Sequence, residues 1–187
     1  MGDESIYHCD VGPHVRATAI ALSIVVQSER LLLQHIPIMM ATNTVRLHRV
    51  LRTAPERVYR AFLDADAMAK WLPPYGFTCR VHRMDVRVGG TFKMSFSNFS
   101  TGHAHSFGGE YRELVPNERI RYSDKFDDPR MPGEMETTVI LRAVSCGTEL
   151  SVTQEGIPEV IPVEMCYLGW QESLAQLAAL VEAVTAD

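Results

Sequence analysis

The chain has 187 residues, 46% of them apolar and 22% charged, the balance of a globular fold whose core needs no disulfide or metal staple. A net charge of −5 removes any general electrostatic grip on nucleic acid or an anionic membrane surface. Cys9, Cys79, Cys146 and Cys166 stand far apart with no CxxC pair, which argues against a disulfide framework and a zinc knuckle and for a reducing, cytoplasmic setting.

Residues 1–43 read as an N-terminal extension, poorly ordered or lying upstream of the natural start. The apolar run Ala17–Val26 has ten residues, against the roughly 20 that a membrane span needs. No basic region or small-residue cleavage motif marks a secretory signal. Met39 or Met40 is a candidate start; a short amphipathic helix docked on the domain is the competing reading. The domain itself is expected over residues 44–187.

Thr44–Leu51 alternates apolar and polar side chains, as a half-buried strand does. Thr53-Ala54-Pro55-Glu56 carries a helix-start signature, with Thr53 as the expected cap. Val58, Tyr59, Phe62 and Leu63 then recur at helical spacing, and Asp64 or Asp66 opens a second short helix through Trp71 and Leu72 that Pro73-Pro74 stops. Strand patterns follow in series: Phe77–Val88, a Gly89-Gly90 turn, Thr91–Phe96, His103–Val115, a Pro116-Asn117 turn, Glu118–Phe126, and a last hairpin of Thr137–Val144 and Thr148–Gln154. Val163, Tyr167, Trp170, Leu174, Leu177, Val181 and Val184 form one stripe of a long terminal helix. This order predicts an α+β fold. A curved antiparallel sheet of about seven strands wraps around a long C-terminal helix, with two short helices after the first strand.

Several short segments fall in one familiar order: Ala54–Phe62, Trp71 before Pro73, Asp85–Gly90, Gly109-Glu110-Tyr111, Pro116–Ile120, Thr148-Glu149-Leu150 and Gly169-Trp170. Over residues 44–184 the chain resembles the family named for the activator of heat-shock-protein-90 ATPase homologues. That family is part of the START-like, birch-pollen-allergen-like superfamily, also called SRPBCC or helix-grip. The resemblance implies the helix-grip fold. It also implies a choice among roles: carriers of small apolar molecules, cyclases and dehydratases, and co-chaperones of the stress response. One fold hosts all of these, so the site must decide.

The candidate ligand-binding residues are Trp71, Phe92, Met94, Phe96, His105, Tyr111, Tyr122, Phe126, Trp170 and Leu174, with His105 and Tyr122 as the polar contacts. Glu110 and His105 are the candidates for proton transfer. A Glu110 carboxylate projecting into an apolar cavity would be a general base, whereas a solvent-facing one would be inert. His103 and His105 share a strand face, and Glu110 or His82 could join them around a metal, but no carboxylate or cysteine spacing completes a set. Asp85 and Arg87 either polarise a ligand or pair with each other. The chain lacks GxSxG, HExxH, GxxxxGK[ST] and GxGxxG, which lowers covalent hydrolysis, nucleotide hydrolysis and dinucleotide chemistry. The leading expectation is a non-enzymatic binder of a small hydrophobic or aromatic molecule, without metal or cofactor, as monomer or homodimer. A module acting on a chaperone ATPase and a cyclase-like or dehydratase-like enzyme are the alternatives.

Overall fold

A computed structural model describes residues 43–183. The expectations for residues 1–42 and for Val184 therefore lie outside the described residues. Seven strands form one antiparallel sheet: β1 (Thr44–Leu51), β2 (Phe77–Met84), β3 (Thr91–Asn98), β4 (Ala104–Val115), β5 (Arg119–Phe126), β6 (Met135–Val144) and β7 (Gly147–Glu155). Their spatial order is β1-β7-β6-β5-β4-β3-β2, so β1 and β2 stand at opposite edges. Helices α1 (Pro55–Leu63) and α2 (Ala65–Trp71) connect those edges, and α3 (Val163–Val181) closes the domain. This is the α+β helix-grip fold.

Side chains alternate along each strand, so one face of the curved sheet gathers the apolar set. Val45, Leu47 and Leu51 on β1, Phe92 and Met94 on β3, Ile120 and Tyr122 on β5, Val139 and Leu141 on β6, and Leu150 and Val152 on β7 are all buried. The opposite face carries ion pairs, among them Arg46 with Glu155, His48 and Arg142 with Glu149, and Arg121 with Glu136. At Gly109 a Cβ would lie inside contact distance of the Ser123 carbonyl, so β4 and β5 approach closely there only because this position is glycine.

Four local expectations are corrected. Thr53 does not cap α1; Ala54 holds that position without a side-chain bond, and the Thr53 carbonyl instead accepts from the Thr148 hydroxyl at 2.7 Å. The strand expected to reach Val88 ends at Met84, because Asp85–Gly90 turns: the Arg87 N–H donates to the Asp85 carbonyl and the Gly90 N–H to the Arg87 carbonyl. Asp85 and Arg87 consequently meet across that turn, at 3.0 Å, and not on a shared strand face. Along α3 the expected stripe holds from Trp170 through Val181, but Tyr167 is exposed and Val163 only half-buried.

Helix α3 is fastened by its later turns. Ser173 donates to the Leu72 carbonyl at 2.6 Å, Gln176 to the Pro73 carbonyl at 2.5 Å, and Leu174, Leu177 and Val181 are buried. Its opening turns expose Met165, Tyr167 and Leu168. Truncating a fully packed leucine costs about 2–5 kcal/mol, whereas truncating an exposed one costs within about 0.5 kcal/mol. We therefore expect Leu177→Ala to lower the urea-unfolding free energy by an amount in the first range and Leu168→Ala by one in the second. Equal losses would contradict this one-ended attachment.

Candidate functional site

Between the concave face of β3–β7 and helices α1, α2 and α3 lies a cavity of about 180 Å³. Its walls grade from buried to half-exposed, which sets a floor and a mouth. Phe92, Met94, Tyr111, Tyr122, Met135 and Trp170 are buried at the floor. Phe96, His105, Phe107, Phe126, Pro74, Cys166 and Gly169 are half-exposed around the opening.

The rings sit in two groups. At the floor, Phe92 packs on Tyr111 at 5.5 Å and edge-on to Tyr122 at 5.6 Å. Nearer the mouth, Phe96 meets Phe107 at 4.9 Å and His105 at 5.7 Å, and His105 lies 5.9 Å from Phe126. Edge-to-face contacts of this kind fix ring orientation as well as filling space. Partial burial lowers the His105 pKa, so its imidazole is neutral at pH 7. Burial raises the Tyr111 and Tyr122 phenols far above neutrality, and the Asp124 charge raises Tyr122 further.

Of the ten residues expected to line a site, eight border this cavity: Phe92, Met94, Phe96, His105, Tyr111, Tyr122, Phe126 and Trp170. Trp71 and Leu174 do not. Trp71 is fully buried in the core, stacked edge-on against Phe62 at 4.6 Å, with its indole N–H donating to the Ala61 carbonyl. Leu174 is likewise spent on packing. Glu110 falls on the convex face, 2.9 Å from Arg112, and cannot act on anything in the cavity. His103 precedes β4 and is exposed, so it does not share a strand face with His105. His82 instead sits 2.8 Å from the Ser95 hydroxyl. Among the described residues no cluster of three His, Cys, Asp or Glu side chains could hold a metal ion.

The residue that sequence reading missed is Asp124. It is 6% exposed, borders the cavity, and among the described residues its Oδ1 has no hydrogen-bond partner. The signal was present: Tyr122, Asp124 and Phe126 share one strand parity, so an Asp stood in an apolar row. Its neighbours across the sheet are Gly109 on β4 and Met135 on β6, neither of which offers a polar side chain. Burial chiefly, and the Glu134 charge secondarily, push its carboxyl up to about 7. Gln154, also on the wall, is already engaged, accepting from the Trp170 indole N–H at 2.9 Å. Cys166 is a poor nucleophile, because burial and Asp124 both raise its thiol pKa.

Comparison with known proteins places the chain. The family model described as Activator of Hsp90 ATPase homolog 1-like protein matches residues 52–182. A crystal structure of a Chromobacterium violaceum protein is 64% identical, with 76% of this chain and 99% of that one covered at a TM-score of 0.75. A Nitrosomonas europaea protein (21% identity, 74% and 94% covered, TM-score 0.62) and an AHSA1-like protein of Aeromonas hydrophila (20%, 74% and 92%, 0.62) share the fold. No curated protein matches. Among the described residues no helix is long and apolar enough to cross a membrane.

The Asp124 environment sets a pH dependence of stability. An unfolded Asp titrates near 4. Between that value and about 7 the folded chain keeps a proton that the unfolded chain has lost, so stability falls as pH rises through this window and levels off above it. Asp124→Asn keeps the shape and removes the titration. Relative to the parent, this variant should gain up to about 4 kcal/mol in urea-unfolding free energy between pH 4 and pH 8. A difference constant with pH would mean that the carboxyl is not a buried titrating group.

Proposed function

The chain belongs to the Activator of Hsp90 ATPase homolog 1-like family, and on that premise we propose that it binds a small, one-ring aromatic molecule in the cavity beneath α3. The observation that carries this reading is the cavity itself: about 180 Å³, walled mainly by aromatic and methionine side chains. An apolar cavity of about 150 Å³ stays dry and takes benzene, whereas drug-sized ligands need roughly 300 Å³ or more. The volume beneath α3 therefore accommodates a single ring. The half-exposed rim of Phe96, His105, Phe107 and Phe126 gives such a molecule a way in.

The other two roles draw less support. A chaperone-binding module needs an exposed apolar patch on the sheet exterior, but there Val50 and Ile140 are 43% and 42% exposed and stand among the ion pairs of Glu149, Glu155 and Arg142. Proton-transfer catalysis through Glu110 is unsupported because that carboxylate faces away from the cavity. Cys79, Cys146 and Cys166 are free thiols, as a reducing compartment would keep them.

Toluene is the plain probe of this reading. Seven carbons at about 0.8 kcal/mol each give roughly 5–6 kcal/mol, a Kd on the order of 0.1 mM. Ligand-observed NMR should detect it on the parent protein. Gly169→Leu should abolish it: Gly169 stands at the mouth, a Cβ there would meet nothing nearer than Pro74 Cβ at 4.0 Å, and a longer side chain would reach across the opening. The same change should keep or raise the melting temperature, since glycine inside a helix costs about 1 kcal/mol. Absence of binding to the parent by toluene and by every other single-ring probe would end the proposal.

A further inference from the structure

We infer that the cavity is a site for a small aromatic ammonium, with Asp124 as its ion-pair partner and the surrounding rings as its cage. The inference rests on the cavity reading above and adds the charge of the ligand.

Strand register builds the recess. Across β4 and β5, Tyr111 faces Tyr122, Gly109 faces Asp124, and Phe107 faces Phe126. Phe92 stands opposite Gly109 from β3. Gly109 has no side chain, so on β4 and β5 the row between the two pairs of rings holds only the Asp124 carboxyl, with Phe92 on β3 and Met135 on β6 at its ends. Neighbours on one strand face lie about 7 Å apart. A cation seated on Asp124 is then near the reach of the cation–π attraction, about 6 Å from a ring centroid, for rings on both sides.

The electrostatics favour a cation over an anion or a neutral group. Among the described residues, those bordering the cavity include no Lys or Arg. His105 on β4 is uncharged at pH 7, and Tyr111 on β4, Tyr122 on β5 and Cys166 on α3 carry neutral phenol and thiol groups there. Glu134, just before β6, adds negative potential from outside, partly offset by Arg112 at 3.2 Å. Folding has stripped most water from the Asp124 carboxyl, which borders the cavity, and among the described residues bordering it none is cationic, so an arriving ammonium supplies the missing counter-charge. An isolated buried charge is costly, and removing that cost on binding adds to affinity.

The experiment compares benzylamine, a cation throughout the range used, with the near-isosteric neutral toluene, at pH 6 and pH 8, by isothermal calorimetry or ligand-observed NMR. With a carboxyl that titrates at about 7, the anionic fraction differs about tenfold between these pH values. Benzylamine should bind the parent about tenfold more tightly at pH 8 than at pH 6, and toluene should show no such gain. Asp124→Asn should weaken benzylamine at pH 8 at least tenfold and abolish its gain between pH 6 and pH 8. The parent's own pH comparison decides the matter even if the variant folds poorly. Equal benzylamine affinity at both pH values, or benzylamine bound no better than toluene at pH 8, overturns the ammonium assignment while the cavity reading stands. Failure of both probes on the parent overturns the cavity reading, and this inference with it.

Discussion

Helix α3 is held at one end. Its later turns bury Leu174, Leu177, Ala178 and Val181, while Ser173 and Gln176 bond to the Leu72 and Pro73 carbonyls where α2 ends. Trp170 marks the changeover, its ring buried and its indole N–H fixed on Gln154 of β7. Before Trp170 the helix shows Met165, Tyr167 and Leu168 to solvent, and only Val163 and Cys166 there pack, half-buried, against the core. A helix fastened along its whole length would have driven the rings of the sheet into the gap, because empty apolar space is penalised by lost packing. The void follows from where the anchors stop, and the anchors follow from Pro73-Pro74, which ends α2 at the height of Ser173 and Gln176.

The sheet sets the other wall by simple parity. Each strand gives alternate residues to the concave face, and the β4–β5 register brings Tyr111, Gly109 and Phe107 opposite Tyr122, Asp124 and Phe126. Gly109 serves two ends at once. It lets the two backbones approach where a Cβ would meet the Ser123 carbonyl, and it leaves the Asp124 carboxyl with no side chain facing it from β4. The convex face answers a different need. There Arg112 joins Glu110, Glu134 and the Ser123 hydroxyl, and such exposed pairs contribute little to stability.

Much of this fold was legible in the chain. Period-two patterns marked seven strands, Pro55 marked the first helix start and Asp64 or Asp66 the second, of which Asp64 is the cap, and the spacing of Trp170, Leu174, Leu177 and Val181 marked the buried side of α3. The misreadings share a cause: each depended on geometry that periodicity does not encode. Thr53 looked like a cap, but its carbonyl was taken by Thr148 from a strand 95 residues away in sequence. Trp71 and Leu174 looked like pocket residues because large apolar side chains serve core and cavity alike; only the direction in which neighbours close around them separates the two. Glu110 needed the true register of β4 before its convex position could be seen. Asp124 is the opposite case: strand parity alone already puts it among Tyr122 and Phe126.

That parity violation is the most informative feature of the sequence. Burying a carboxyl with an unpartnered oxygen destabilises a fold, and an Asn or Leu at the same position would relieve the strain at no cost to the register. Local rules broken inside an otherwise consistent design concentrate where a protein must do something besides fold. Thr137 Oγ1 is buried too, but it faces the Tyr122 hydroxyl across β5 and β6, a hydroxyl is far cheaper to bury than a carboxyl, and it does not border the cavity. Asp124 is a charge-bearing group at the border of a cavity walled mainly by aromatic and methionine side chains, and among the described residues bordering that cavity none is cationic.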